Sequence, residues 1–147
     1  QAAGRAGRGR KAGIALIQTY MPEHYSIQTA TSQDYESFFK QEMGYRRLMQ
    51  YPPACHMLSM QVAGENEELM TRIMEAIAAS VRKHFEEQTQ IIGPVPAPVY
   101  KVNDIYRKIL YMKQENYDIL IKIQKYVKMR WDETESCKKL TLQCDFT

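Results

Sequence analysis

Pro52 and Pro53 stand side by side after Tyr51, and no other feature constrains the fold of this chain as much. Proline has no amide hydrogen to donate, fixes its own φ, and pushes its predecessor out of the helical region. A helix arriving at Tyr51 must therefore stop there. The chain reads as two units, residues 1–53 and residues 54–147. At 147 residues the whole has room for one or one and a half domains and can bury a real core.

The first unit opens with a basic arm. Gln1-Ala2-Ala3-Gly4-Arg5-Ala6-Gly7-Arg8 sets two arginines three apart behind a glutamine, with glycines that let the backbone approach a ligand closely. The arginine fork donates two parallel hydrogen bonds to phosphate oxygens, so this pattern suits phosphate. Two readings fit: a flexible basic arm and part of a nucleotide site. Gly13–Tyr20 (GIALIQTY) is apolar and β-branched, which predicts one buried strand. A short helix is predicted from Pro22 and a longer one from Ser32 to Gln50. Ser32 is the expected N-cap, with Gln33 and Asp34 in the first turn. Tyr35, Phe38, Phe39 and Met43 recur at helical spacing and would bury one face.

The second unit alternates strand and helix. His56–Ala63 reads as a strand. Gly64-Glu65-Asn66 precedes a helix whose predicted apolar ladder is Leu69, Ile73, Ile77, Val81 and Phe85. A strand from Thr89 runs through Gly93–Pro98, a stretch too rich in proline for a central strand and suited to a bulge or an edge. Tyr106–Lys113 pairs with it as a hairpin. Asn116 caps a helix bearing Leu120, Ile123 and Val127, and Lys139–Phe146 closes as a last strand. The order βαββαβ predicts an α+β fold: a four-stranded antiparallel sheet with two helices on one face, ferredoxin-like.

The net charge of +3 is unevenly spread. Residues 100–130 hold eight basic side chains against three acidic ones, while the helix of residues 64–87 is acidic. Alternation along Tyr106–Lys113 puts Arg107, Ile109, Tyr111 and Lys113 on one face and Tyr106, Lys108, Leu110 and Met112 on the other. If helices cover the second face, the first offers a tyrosine flanked by cations, as single-strand binders do. Lys122 and Lys125 on the next helix would extend that patch, or Lys122 would pair with Asp118 one turn earlier. A solvated rim and a DNA-phosphate site formed by Arg107, Lys108, Tyr111, Lys113, Lys122 and Lys125 both fit. Cys55, Cys137 and Cys144 lack metal-ligand spacing and read as reduced, partly buried thiols, so no metal is expected on these residues. No apolar stretch approaches a membrane span, and an intracellular piece is expected.

Several motifs in order carry a resemblance. The opening octet resembles the last conserved motif of superfamily 2 helicases. Gly4-Arg5-Ala6-Gly7-Arg8-Gly9-Arg10-Lys11, Ile17-Gln18-Thr19-Tyr20, Pro22-Glu23-His24-Tyr25, Gln33-Asp34-Tyr35, Tyr51-Pro52-Pro53 and Gly93–Pro98 together resemble the PriA family, the bacterial replication-restart helicases also called primosomal protein N′. The resemblance implies the C-terminal segment of an ATP-dependent 3′-to-5′ DNA helicase that recognises forked DNA and reloads the replication machinery. Residues 1–53 would be the end of a RecA-like second motor lobe, with Arg5 and Arg8 catalytic and Gln1 and Gly4 beside them at the nucleotide. ATP and magnesium would be held mainly by the other lobe, so the segment alone should be inactive. Residues 54–147 would be the DNA- and partner-binding domain, similar to a small-ribosomal-subunit protein fold. The implied partners are forked and single-stranded DNA, other primosome proteins and the acidic tail of single-stranded DNA-binding protein. The family's contacts for that tail, a basic residue and a glutamine, fall where this chain has Asn116 and Leu120, a departure from the family's pattern. Zinc belongs to family cysteines upstream of this segment. A monomer in the bacterial cytoplasm is implied. Without the resemblance, the residues also fit a freestanding nucleic-acid- or ribosome-binding module with a basic arm, or a purely structural interaction domain.

Overall fold

The computed structural model describes residues 13–85 and 89–147. Gln1, Gly4, Arg5 and Arg8 thus lie outside the described residues. The chain divides between Tyr45 and Arg46 into two compact units.

In the first unit, helix α1 spans Tyr25–Ser32 and helix α2 starts at Tyr35 and runs to Leu48. The expected cap falls elsewhere. Ser32 closes α1 and bonds its hydroxyl back to the carbonyl of Gln28 at 3.1 Å, while Gln33 takes a left-handed φ of 55°. Asp34 instead caps α2, accepting from the Ser37 amide at 3.0 Å. A carboxylate in that place answers both the unpaired amides and the helix dipole. The backbone and side-chain hydroxyl of Ser37 hold the Asp34 carboxyl below its ordinary pKa. Tyr25 donates to Glu42, tying α1 to α2. The predicted strand at Gly13–Tyr20 is not one: among the described residues it joins no sheet, and Ile14 and Leu16 are 84% and 92% exposed. A strand is completed by its neighbour, and a β-branched run without one has no ladder to join.

The second unit follows the predicted order. Strands β1 (His56–Gly64), β2 (Gln90–Val102), β3 (Ile105–Gln114) and β4 (Thr141–Phe146) form one antiparallel sheet in the order β2-β3-β1-β4. Helices α3 (Glu67–His84) and α4 (Tyr117–Glu133) cross over between strands, and a 3-10 turn at Glu135–Lys139 leads into β4. Asn66 and Asn116 cap the two helices, accepting from the amides of Leu69 and Asp118, each at 2.9 Å. Asn103 and Asp104 both have positive φ, 49° and 61°, and close the β2–β3 hairpin as a two-residue turn. That turn twists with the strands, which is why asparagine and aspartate suit it.

The helices cover one face of the sheet. Leu58, Met60 and Val62 of β1 and Leu110 and Met112 of β3 meet Met70, Met74, Ala78 and Val81 of α3 and Leu120, Ile123 and Val127 of α4. All but Val127 among these are at most 1% exposed, and each of the larger side chains contributes about 1.5–3 kcal/mol by leaving water. The predicted α4 stripe is the observed one. On α3 Val81 is fully buried as predicted, but Met70, Met74 and Ala78 join it in the core, and Leu69, Ile73, Ile77 and Phe85 pack at the margin. Ile73 and Ile77 line a groove of about 170 Å³ with Tyr126, Val127 and Trp131. The helix has two apolar neighbours, sheet and helix, and a single-stripe reading credits only one of them.

Both sheet margins were set by sequence. β2 is an edge strand whose register slips between Ile92 and Val95 and again between Pro96 and Lys101, as the prolines require. At the other end, a Cβ on Gly64 would overlap Leu140 Cδ2, so glycine lets the Leu140 side chain lie against the end of β1 as the chain enters β4.

Candidate nucleic-acid interface

Strand β3 carries four of the candidate contact residues, and its pairing fixes their faces. Antiparallel partners share a face. Arg107, Ile109, Tyr111 and Lys113 lie opposite Ala63, Gln61, Ser59 and Met57 of β1, on the face turned away from α3 and α4. Lys108 shares the helix face with Leu110 and Met112, as alternation predicts.

These cations do not form one surface. Lys113 is 4% exposed. Its ammonium donates to the Met49 carbonyl at 3.1 Å and lies 3.6 Å from the centre of the Tyr51 ring. The residues around the double proline build that cover. Gln50 has φ 50°, the Tyr51 amide returns to the Arg46 carbonyl at 2.8 Å, and the Arg46 guanidinium donates to the Pro52 carbonyl. Lys108 is held on the other side. Its ammonium donates to Thr71 Oγ1 at 2.7 Å and stands 3.3 Å from Glu67 Oε1. Glu67 also accepts from Tyr100, which raises the Tyr100 phenol to about 12 and, with Lys108, holds the Glu67 carboxyl below its ordinary value. Together these contacts tie the bulged end of β2 to the start of α3. Arg107 Nη1 is buried and has no hydrogen-bond partner among the described residues. Tyr111 is half-buried, beside Ser59 of β1 and Ile92 of β2.

Lys122 and Lys125 are exposed on α4, which packs on the opposite face of the sheet from Arg107, Tyr111 and Lys113. The expected extension of one patch therefore fails, because the sheet lies between its halves. Sequence separation could not reveal this. Lys128, which sequence reading left out of the site, is exposed on the same outer side of α4. None of the three makes an ion pair among the described residues; Arg130 does, with Glu133 at 3.6 Å. Asp118 is not bridged to Lys122. The signal for Lys128 was its spacing of three and six residues from Lys125 and Lys122.

The remaining candidates have structural occupations. Asn116 is the exposed α4 cap, with its Oδ1 engaged by the Asp118 amide, whereas Leu120 is fully buried and offers no surface contact in this conformation. Cys55 and Cys137 are buried free thiols and Cys144 is a half-buried one; burial pushes all three up. Cys55 donates to the Gln50 carbonyl at 2.9 Å. Among the described residues no helix is long and apolar enough to cross a membrane.

Comparison with known proteins places this arrangement. Residues 47–146 match the family described as the primosomal protein N C-terminal domain. The chain is 38% identical over 117 residues to replication restart protein PriA of Bacillus subtilis, covering 78% of this chain and 14% of that protein. It is 33% identical over 130 residues to the Thermotoga maritima protein of the same name, covering 88% of this chain and 17% of that protein. The chain thus spans about one-seventh of the length of the relatives it matches. A de novo designed protein, Foldit4, shares the fold alone, with a TM-score of 0.51 at 11% identity, covering 63% of this chain and 96% of that one. With the family match covering more than half of its length and ending on the last strand of the sheet, this chain belongs to the PriA family through its primosomal protein N C-terminal domain.

Proposed function

We propose that this chain is the C-terminal part of an ATP-dependent 3′-to-5′ DNA helicase that acts on forked DNA in replication restart. The observation that carries the reading is the family match over residues 47–146, shared with relatives named replication restart protein PriA. Residues 1–53 are the end of a RecA-like motor lobe, and residues 54–147 are the domain that meets DNA and primosome partners. Support for an incomplete lobe comes from α1 and α2, which carry no buried residue while Tyr35 and Phe39 are 72% and 51% exposed. Such apolar surface is expected where a larger body belongs.

Arg5 and Arg8 reach the γ-phosphate of an ATP–magnesium complex held by the rest of the motor, with Gln1 and Gly4 beside them. Charge developing on the phosphoryl oxygens is what such arginines stabilise, and the sequence holds no GxxxxGK(S/T) phosphate loop of its own. In the whole protein, Arg8→Ala should lower ATP turnover by about 10³–10⁵-fold while nucleotide binding falls far less. Unchanged turnover would remove Arg8 from the mechanism.

The DNA contact in the second unit is the outer side of α4. Lys122, Lys125 and Lys128 project into solvent within two turns and suit phosphate positioning, which carries no base information. Lys108 and Lys113 are engaged internally and stay out of it. Lys122→Glu with Lys125→Glu should weaken binding to single-stranded and branched DNA equally across sequences and reduce the salt slope by about two. Unchanged affinity and slope would leave α4 as a solvated face and the domain to protein partners alone, among them the tail of single-stranded DNA-binding protein.

A further inference from the structure

The two edges of the sheet are treated differently. The β2 edge carries Pro94, Pro96 and Pro98 and two register slips, which deny it to another strand. The β4 edge carries no proline, no glycine and no lysine in Thr141–Phe146. Its outward backbone groups can be assigned. Met57 and Thr147 exchange both of their backbone hydrogen bonds at 2.8 Å. In an antiparallel ladder such pairs alternate. Asp145, Gln143 and Thr141 therefore also bond to β1, and the Ser59 hydroxyl reaches the Asp145 carbonyl at 3.3 Å on that side. Phe146, Cys144 and Leu142 occupy the alternate positions opposite Leu58, Met60 and Val62, so their amides and carbonyls point off the sheet.

Those same three residues turn their side chains to the helix face and pack at the margin of the core. The Phe146 ring stands 5.2 Å from that of Tyr117 at the start of α4. The other face of β4 shows Thr141, Gln143 and Asp145, with Gln143 Nε2 donating to Asp145 Oδ2 at 3.0 Å.

We propose that the outer edge of β4 is a strand-docking site for an extended segment of a partner protein. The free groups at Leu142, Cys144 and Phe146 are met by backbone, so the occupant is a strand. Its apolar side chains extend the row of Leu142, Cys144 and Phe146 under α4. Its other side chains face Thr141, Gln143 and Asp145, and a lysine or arginine there complements Asp145, the one charge on that row. The occupant alternates apolar residues with polar or basic ones.

The test uses the 147-residue chain and the synthetic peptide acetyl-Thr-Val-Lys-Val-Thr-Val-amide, with amide hydrogen exchange as the readout. Bound peptide should slow exchange at Leu142, Cys144 and Phe146 by about tenfold or more and leave Gln143 and Asp145, already bonded to β1, unchanged. A twin peptide N-methylated at its valines should have no effect, since it lacks the amides that face β4. Cys144→Pro removes an outward donor without breaking a bond to β1, at the cost of the marginal Cys144 side chain; this variant should fold, as checked by an unchanged cooperative urea transition, and lose the peptide response. Asp145→Lys should weaken the lysine peptide and favour its glutamate twin. Three findings would each overturn the proposal: the three amides already protected in dilute chain, protection that rises with chain concentration and no peptide because a second copy takes the edge, or equal protection by the N-methylated twin.

Discussion

Helices α2 and α3 have similar amphipathic sequences and opposite fates. Tyr35, Phe38, Phe39 and Met43 promise α2 a buried face as plainly as Leu69, Ile73, Ile77 and Val81 promise one to α3. Yet α2 has no buried residue, whereas α3 buries four against a sheet. Periodicity states that a helix has a face to hide. Whether anything hides it depends on another surface being present. Among the described residues the first unit has the pattern without the surface, and the second has both.

The comparison breaks most visibly in the core. Leu110→Ala should destabilise the second unit by about 2–5 kcal/mol, read as a lower urea midpoint, because the side chain is fully buried among α3, α4 and β1. Phe39→Ala should cost less than about 0.5 kcal/mol in the same measurement. Equal costs would show that α2 is covered after all. Gly64→Ala should cost about 1 kcal/mol, since its methyl group meets the movable end of the Leu140 side chain, and Gly64→Ala with Leu140→Ala should cost less than the sum of the two single changes.

The caps sharpen the contrast. Asn66→Ala should cost the second unit about 1 kcal/mol. Asp34→Ala removes an equivalent cap from α2 and should leave the unfolding of residues 46–147 unmoved; a shift there would couple the two units. The smallest effect expected is acidic. Glu67 is held below its ordinary carboxyl value by Tyr100 and Lys108. Its contribution is thus complete above the unfolded value near 4.5 and fades as pH falls through the lower folded value. Glu67→Gln should flatten the acid limb of the stability curve and leave the limb above neutrality alone.

The second unit was legible because each local signal agreed with the global one. Asn66 and Asn116 cap where polarity meets an apolar run, and prolines put β2 at an edge. The βαββαβ order then leaves few sheet arrangements. The first unit was less legible for the same reason inverted: Gly13–Tyr20 has strand residues and no partner among the described residues. Ser32 and Asp34 both suit a cap, and the choice fell to the carboxylate while Ser32 bonded back into α1. At the candidate site, alternation along β3 gave the faces correctly, but not their accessibility. Lys113 looks like a surface cation until Tyr51, sixty-two positions earlier in the numbering, is seen lying on it.

While the boundary between the units fell at Tyr45–Arg46 rather than at the double proline, sequence alone determined the alternating elements of the second unit, the capping asparagines, the α4 stripe and the family motifs. These are properties of neighbours along the chain, carried by backbone sterics and by side-chain period. Tertiary structure decided that Met70 and Met74 rather than Leu69 and Ile73 face the sheet. It also decided that Lys108 and Lys113 are tethered, that Lys122, Lys125 and Lys128 stand across the sheet from Lys113, and that the outward amides of β4 have no partner among the described residues. Each of those depends on residues brought together from distant positions, and a charge or an amide has no fixed worth until its neighbours in space are set.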